Sequence, residues 1–261
     1  MHAITINYFV ASTCGFIYSD SSFDISEILS SAWIFHALII GSIFMLVFYL
    51  LAIGTQKVGI TISTVANKMS LIIPVAVSII WYDSDQFSWI KLVGIFIALT
   101  SVYLTTTNEG KLAFDKKYIW LIIIIFLFQG IADTVFSHAQ KTAVEEEEMG
   151  LFFSILFFVA GITGLIASLP KITSGTQPIK GKALFFGLLI GIPNFLTLKF
   201  FFDALNTPSI EPSIAYPLVS MGIILASSIT GLLLFKERLS WLNWAGIGLS
   251  FLAIVTLTYA G

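Results

Sequence analysis

The side chains able to do chemistry sit inside apolar runs. Lys68 lies near the middle of Ile60–Trp81, ITISTVANKMSLIIPVAVSIIW. A bilayer span needs about 20 apolar residues, so Lys68 is roughly 10 Å from either end, beyond easy snorkelling. An ammonium group there costs on the order of 3 kcal/mol on insertion scales. Ser63, Asn67, Ser70 and Pro74 recur along the same run and give it a polar, kinkable stripe. Two readings stand. Lys68 faces a wet cavity and binds an anionic or carboxylate group, or it is a structural lysine that pins helices together.

Three further sets of polar residues share this setting. Gln129, Asp133 and Ser137 are spaced i, i+4, i+8 and so occupy one helical face, with His138 next in line. Asp133 can carry a proton or pair with Lys68; a structural salt bridge or helix-end role weighs equally. In GIPNFLTLKFFFDALN, Pro193 removes a backbone donor beside Asn194, and Lys199 and Asp203 can pair at i, i+4. That pair falls in the last two turns, where snorkelling or a local ion pair is the simpler reading. Glu211–Pro217 opens another run, with Tyr216 as an aromatic wall carrying a hydroxyl and Glu211 as a capping residue. Asn7 and His36 stand alone in apolar runs and read as core residues.

The elements that must position these groups are set by composition. Of 261 residues, 57% are hydrophobic and 11% charged, against about 25% charged in soluble domains. The chain reads as all-α, a polytopic transmembrane helix bundle. Nine apolar segments are expected, at about 3–19, 33–54, 58–81, 89–107, 118–143, 150–169, 183–205, 210–235 and 241–260. Trp33, Trp81, Trp89, Trp120, Trp241 and Trp244 fall at segment ends, as interfacial belts do. No alternating ten-residue strands suggest a barrel. A net charge of −2 and the lack of a basic arm argue against nucleic acid. Cys14 is the one cysteine, so no internal disulfide or cysteine metal site is possible, and no cofactor or metal is expected. The N-terminus has no basic leader or cleavage site and is not read as a signal peptide. The connections are too short for a soluble domain, so any chemistry belongs inside the bundle.

An internal repeat organises the segments. LIIGSIFMLVFYLLAIGTQKVG (38–59) aligns with LLIGIPNFLTLKFFFDALNTPS (188–209), and DQFSWIKLVGIFIALTSVYL (85–104) with ERLSWLNWAGIGLSFLAIVT (237–256). Phe-Val-Ala recurs between 5–16 and 152–163. The expected organisation is a first repeat over 1–109, four helices, and a second over 110–261, five helices. Tyr118–Ala143 has no mate in the first half, so the pattern is an inverted 5+5 repeat with the first helix missing, giving nine spans. Inverted repeats with a site near mid-bilayer are a plan of secondary transporters. Gly187 and Gly191, Gly246 and Ser250, and Gly222 and Ala226 read as small-xxx-small packing pairs.

The segment order and the acid-x-x-Ser-Trp…Gly signature, with VANKMSLIIPV (65–75), GIADTVFSH (130–138) and LLFKERLSWLNWAGIGL (233–249), resemble the EamA-like branch of the drug/metabolite transporter superfamily. The resemblance implies a ten-helix bundle, a central cavity between the halves and traffic of small metabolites such as amino acids or nucleoside-like solutes, in a bacterial inner membrane. On that plan Lys68 holds the solute with Ser63, Asn67, Gln129, Asn194 and Tyr216 as hydrogen-bonding partners. Asp133, Lys199 and Asp203 are candidates for proton coupling or ion pairing. The expected partners are a small-molecule solute, the lipid bilayer and a second copy of the chain.

Lys57, Lys111, Lys116, Lys117, Lys171, Lys180, Lys182, Lys236 and Arg238 collect on one face, against Lys91 and Lys141 on the other. The bias places the first face, and the N-terminus, in the cytoplasm and Gly261 outside; ten-helix relatives have a cytoplasmic C-terminus, which conflicts. A non-transporting membrane subunit is the rival class. A membrane-embedded enzyme is a weaker one, because no HExxH, GxSxG or paired-histidine motif occurs.

Overall fold

Two serines show how the repeated Ser-Trp signature acts. Ser240 precedes a helix over Trp241–Thr258; its hydroxyl accepts from the Asn243 amide at 3.3 Å, and the Asn243 side chain accepts from the Ser240 amide at 2.9 Å. Ser88 precedes a helix over Trp89–Thr106, and its hydroxyl accepts from the Ile90 amide at 3.3 Å. Each serine satisfies amides that a helix start leaves unpaired, and the tryptophan that follows stands exposed at the helix end.

The computed structural model describes residues 2–19, 24–58, 60–82, 87–106, 116–173, 181–207, 210–233 and 240–259. Among these, every regular element is helical: α1 (His2–Tyr18), α2 (Ile25–Ser30), α3 (Ile34–Lys57), α4 (Ile60–Met69), α5 (Ile72–Trp81), α6 (Trp89–Thr106), α7 (Ile119–Thr142), α8 (Met149–Thr173), α9 (Gly181–Asn206), α10 (Pro212–Leu233) and α11 (Trp241–Thr258). Short 3₁₀ turns at Lys116–Tyr118 and Glu146–Glu148 lead into α7 and α8. Four stretches, α3, α7, Glu146–Leu169 and α9, are long and apolar enough to cross a membrane; Ala66–Trp81, Trp89–Leu104 and Trp241–Leu257 are shorter apolar helices. Over its described residues each expected apolar segment is mainly helical, and 58–81 holds two helices instead of one. Lys111, Lys180, Lys236, Arg238 and the 109/110 repeat boundary lie outside the described residues.

The chain forms two compact units. The first comprises Met1–Tyr49 and Val135–Asn206, the second Leu50–Thr134 and Thr207–Gly261. In the first, α1 and α8 run antiparallel. Gly15 lies against Ser154, Gly161 against Phe9 and Gly164 against Thr5, and the Ser12 hydroxyl donates to the Ser154 carbonyl at 2.8 Å. Two glycines make equivalent contacts. A Cβ on Gly191 would lie 2.6 Å from Val10 Cβ and 2.9 Å from the Asn7 carbonyl; one on Gly41 would lie 2.9 Å from Val159 Cβ and strike the Leu156 carbonyl. Gly41 and Gly191 are the glycines of the two LxIG motifs, and Val10 and Val159 those of the two Phe-Val-Ala motifs. Glycine is required because the backbones themselves touch. A cluster of stacked and edge-on rings, Phe136, Phe152, Phe153 and Phe202, fills the interior. Trp33, expected at an interface, is buried edge-on to Phe152; its bulk fills the core beside that cluster.

In the second unit α6 and α11 run antiparallel. Gly94 meets Leu257, Ala98 and Ala253 share a buried cluster with Met221, and Ser101 bonds the Ser250 hydroxyl at 2.6 Å and the Gly246 carbonyl at 2.8 Å. Leu50, Val58, Ala66, Leu121 and Ile125 form another cluster. Gly222 and Ala226 are exposed, and a Cβ on Gly222 would meet nothing within 4 Å. Among the described residues that pair does not pack inside the unit, because α10 turns its opposite side, with Tyr216 and Met221, inward.

Candidate functional site

The break between α4 and α5 sets the geometry of the second unit's polar groups. Pro74 has no N–H to give the Ser70 carbonyl, and its ring crowds that carbonyl. The chain answers with a turn at Ser70–Leu71: Leu71 N donates to the Lys68 carbonyl at 3.4 Å and Ile73 N to the Ser70 carbonyl at 3.0 Å. The Ser70 hydroxyl donates to the Asn67 carbonyl at 2.5 Å. Asn67 and Lys68 thus stand in the last turn of α4, beside backbone whose helical pairing is interrupted.

A hydrogen-bonded file starts from this turn. Asn67 Nδ2 donates to Gln129 Oε1 at 2.9 Å, and Gln129 Nε2 donates to Asp133 Oδ1 at 2.9 Å. The Tyr216 hydroxyl donates to the Asp133 main-chain carbonyl at 2.5 Å, tying α10 to α7. Lys68 and Asp133, both partly buried, act on each other electrostatically. Among the described residues they form no direct ion pair, so the ammonium group is not sealed against this carboxylate. Ser63, one turn before Asn67, is fully buried; its hydroxyl faces Gly54 of α3, where a Cβ would lie 2.5 Å away. Gly130 of α7 lies against Ile73 of α5, so α7 approaches the break closely. Lys68, Asn67, Gln129, Asp133 and Tyr216 are therefore brought together, with Ser63 on the α3 side of α4.

Asn194, Lys199 and Asp203 belong to the first unit. Asn194 Nδ2 donates to Asn7 Oδ1 at 3.2 Å, joining α9 to α1. Lys199 pairs with Asp203 at 2.6 Å on its own helix, with the Tyr18 ring centroid 5.4 Å and the Phe200 centroid 5.2 Å from its ammonium nitrogen. α9 continues through Pro193, whose carbonyl accepts from Thr197 Oγ1 at 2.8 Å. His36, read as a lone core residue, stands with its ring centroid 5.6 Å from that of His138, which follows Ser137 toward the end of α7. Sequence reasoning also missed the ion pair of Lys91 with Glu211; Lys91 is only 3% exposed. Its signal was a lysine in the first turn of a helix, where a cation opposes the dipole and needs a partner. Among the described residues no group of three or more His, Cys, Asp or Glu is placed to hold a metal.

The comparisons fit this architecture. No family model matches the chain. A protein of Haemophilus influenzae described as uncharacterized is 26% identical over 265 residues, covering 98% of this chain and 88% of that one. A crystal structure of a protein 10% identical superposes with a TM-score of 0.75 over 100% of this chain and 89% of that one. At that identity the likeness speaks for the fold alone. Fold and composition together define an all-helical protein with several helices suited to a membrane.

Proposed function

We propose that this chain is a secondary transporter of the EamA-like kind, in a bacterial inner membrane, moving a small polar metabolite of amino-acid-like or nucleoside-like size. The observation that carries the reading is the helix break at Ser70–Leu71 beside Lys68, with Asn67, Gln129, Asp133 and Tyr216 in one hydrogen-bonded file. Interrupted helices with polar groups at the break are how membrane carriers bind solutes within hydrocarbon. Lys68 supplies the charge for an anionic or carboxylate group. Asn67 and Gln129 orient it by exchanging their mutual bond for bonds to the solute. Asp133 is the group that can carry a proton. The matching contacts of Gly41 and Gly191, and the antiparallel pairing of α1 with α8 and of α6 with α11, support an inverted repeat whose halves exchange access by rocking.

The test is uptake of a panel of radiolabelled amino acids and nucleosides into proteoliposomes, by the wild type and by Lys68→Ala. The reading expects at least one solute to be carried, with a loss on the order of 100-fold in the variant, the size of a lost charge-assisted contact. Transport that persists unchanged in Lys68→Ala contradicts the assigned role. Absence of any uptake, with co-purification of a fixed partner, favours a non-transporting subunit.

A further inference from the structure

Lys91 and Asn243 occupy the same place in the two aligned Ser-Trp motifs, three residues after Ser88 and Ser240. Asn243 turns back to accept from the Ser240 amide and completes the cap of α11. Lys91 has no acceptor and cannot do this. Its side chain, 4% exposed, instead reaches Glu211. Glu211 begins α10: its carbonyl accepts from the Ile214 and Ala215 amides, each at 2.9 Å, and Pro212 follows as the first helical residue. A negative side chain suits that helix start, whereas Lys91 in the first turn of α6 opposes the dipole of its own helix. The lysine is therefore held there by the carboxylate across from it. Tyr216 lies five residues on from Glu211, about 7.5 Å along α10.

We propose that Lys91–Glu211 is a clasp between the two repeats, closing the end of the second unit at which α6 and α10 begin, and that it opens when the polar file is exposed on that side. This rests on the alternating-access reading above, since Lys91 belongs to the first repeat and Glu211 to the second. A buried pair suits the task. Its desolvation and its attraction nearly cancel, so an intact pair adds little net stability, while wetting it on opening removes little.

The experiment uses the full chain in a Cys14→Ser background, with Ala215→Cys as a reporter one turn behind the clasp. Labelling by a membrane-impermeant maleimide is followed in proteoliposomes without solute. Glu211→Gln leaves Lys91 buried against a neutral group and can fail to fold, so the deciding variant is Lys91→Met with Glu211→Leu, which fills the same space without charge. The clasp predicts labelling about tenfold slower in that double variant, because its apolar side chains must be wetted on opening where the charges are readily rehydrated, a melting temperature no lower than that of the wild type, and the wild-type labelling rate restored by the swap Lys91→Glu with Glu211→Lys. A double variant that labels at the wild-type rate or faster overturns the clasp, as does a swap variant that stays slow. Loss of the transport reading looks different: the clasp responds as described while no solute crosses in any variant.

Discussion

The two proline-bearing segments of the second unit, Ile60–Trp81 and Pro212–Leu233, meet the same chemical obstacle and resolve it differently. Pro74 ends one helix and begins another. Pro217 sits inside α10 without interrupting it. The difference lies in what precedes each proline. Upstream of Pro74 stands α4, a ten-residue helix packed through Ala66 and Ser63, which cannot tilt to clear the ring. Upstream of Pro217 only one turn exists, and it is tied from outside by Tyr216 to Asp133 and by Glu211 to Lys91. A proline therefore breaks a span where the preceding helix is long and fixed, and is absorbed where that helix is one tethered turn. The break places Asn67 and Lys68 beside backbone paired in a turn instead of a regular helix; α10 contributes a hydroxyl in a continuous helix.

The largest expected effect comes from the glycines beside the two segments. Gly130→Leu drives a side chain into Ile73, so the variant loses about 3 kcal/mol or more. Gly222→Leu on the exposed side of α10 stays within about 0.5 kcal/mol. Melting temperatures in detergent compare them, and equal losses would erase the asymmetry. Next, Pro74→Ala lets helical bonding resume across Ser70–Leu71 and should weaken solute binding about tenfold without lowering the melting temperature. Pro217→Ala should leave binding within about twofold; titration calorimetry on both variants reads the contrast.

Much of this was legible in sequence. The apolar segments, the i, i+4 spacing of Gln129 and Asp133, and the Ser-Trp starts are local patterns that appear as helices, a same-helix bond and helix caps, while the two LxIG motifs were legible as a repeat but not in the distant helices their glycines touch. The break was legible only as a kinkable stripe, because Pro74 and Pro217 look alike until the packing of the upstream helix is known. Lys91 with Glu211 and Asn7 with Asn194 pair across 120 and 187 residues, and no local spacing encodes such partners. Trp33 read as interfacial because segment-end tryptophans usually are; its burial depends on Phe152 of a distant helix.

A smaller effect is expected from Tyr216→Phe, which removes one hydrogen bond to the Asp133 carbonyl and about 1 kcal/mol of stability, read from the melting temperature. Smallest is Asp24→Asn at the start of α2, where the Asp24 side chain caps the Ser26 amide, in contrast to α5, where Leu71 offers no side-chain cap. The Ser26 hydroxyl and amide hold the Asp24 carboxyl below its usual value of 3.8. A depressed carboxyl contributes stability above its unfolded value and loses it as pH falls through the folded one. The wild type should therefore show slight fraying of α2 at acid pH, by amide exchange, that Asp24→Asn shows without pH dependence.

The most direct measurement compares uptake of an amino acid with uptake of its carboxamide, into proteoliposomes bearing the wild type or Lys68→Met. The account predicts that the wild type prefers the carboxylate and that Lys68→Met carries both poorly and without preference. A variant that keeps the carboxylate preference at the wild-type rate would contradict the role given to the lysine at the helix break.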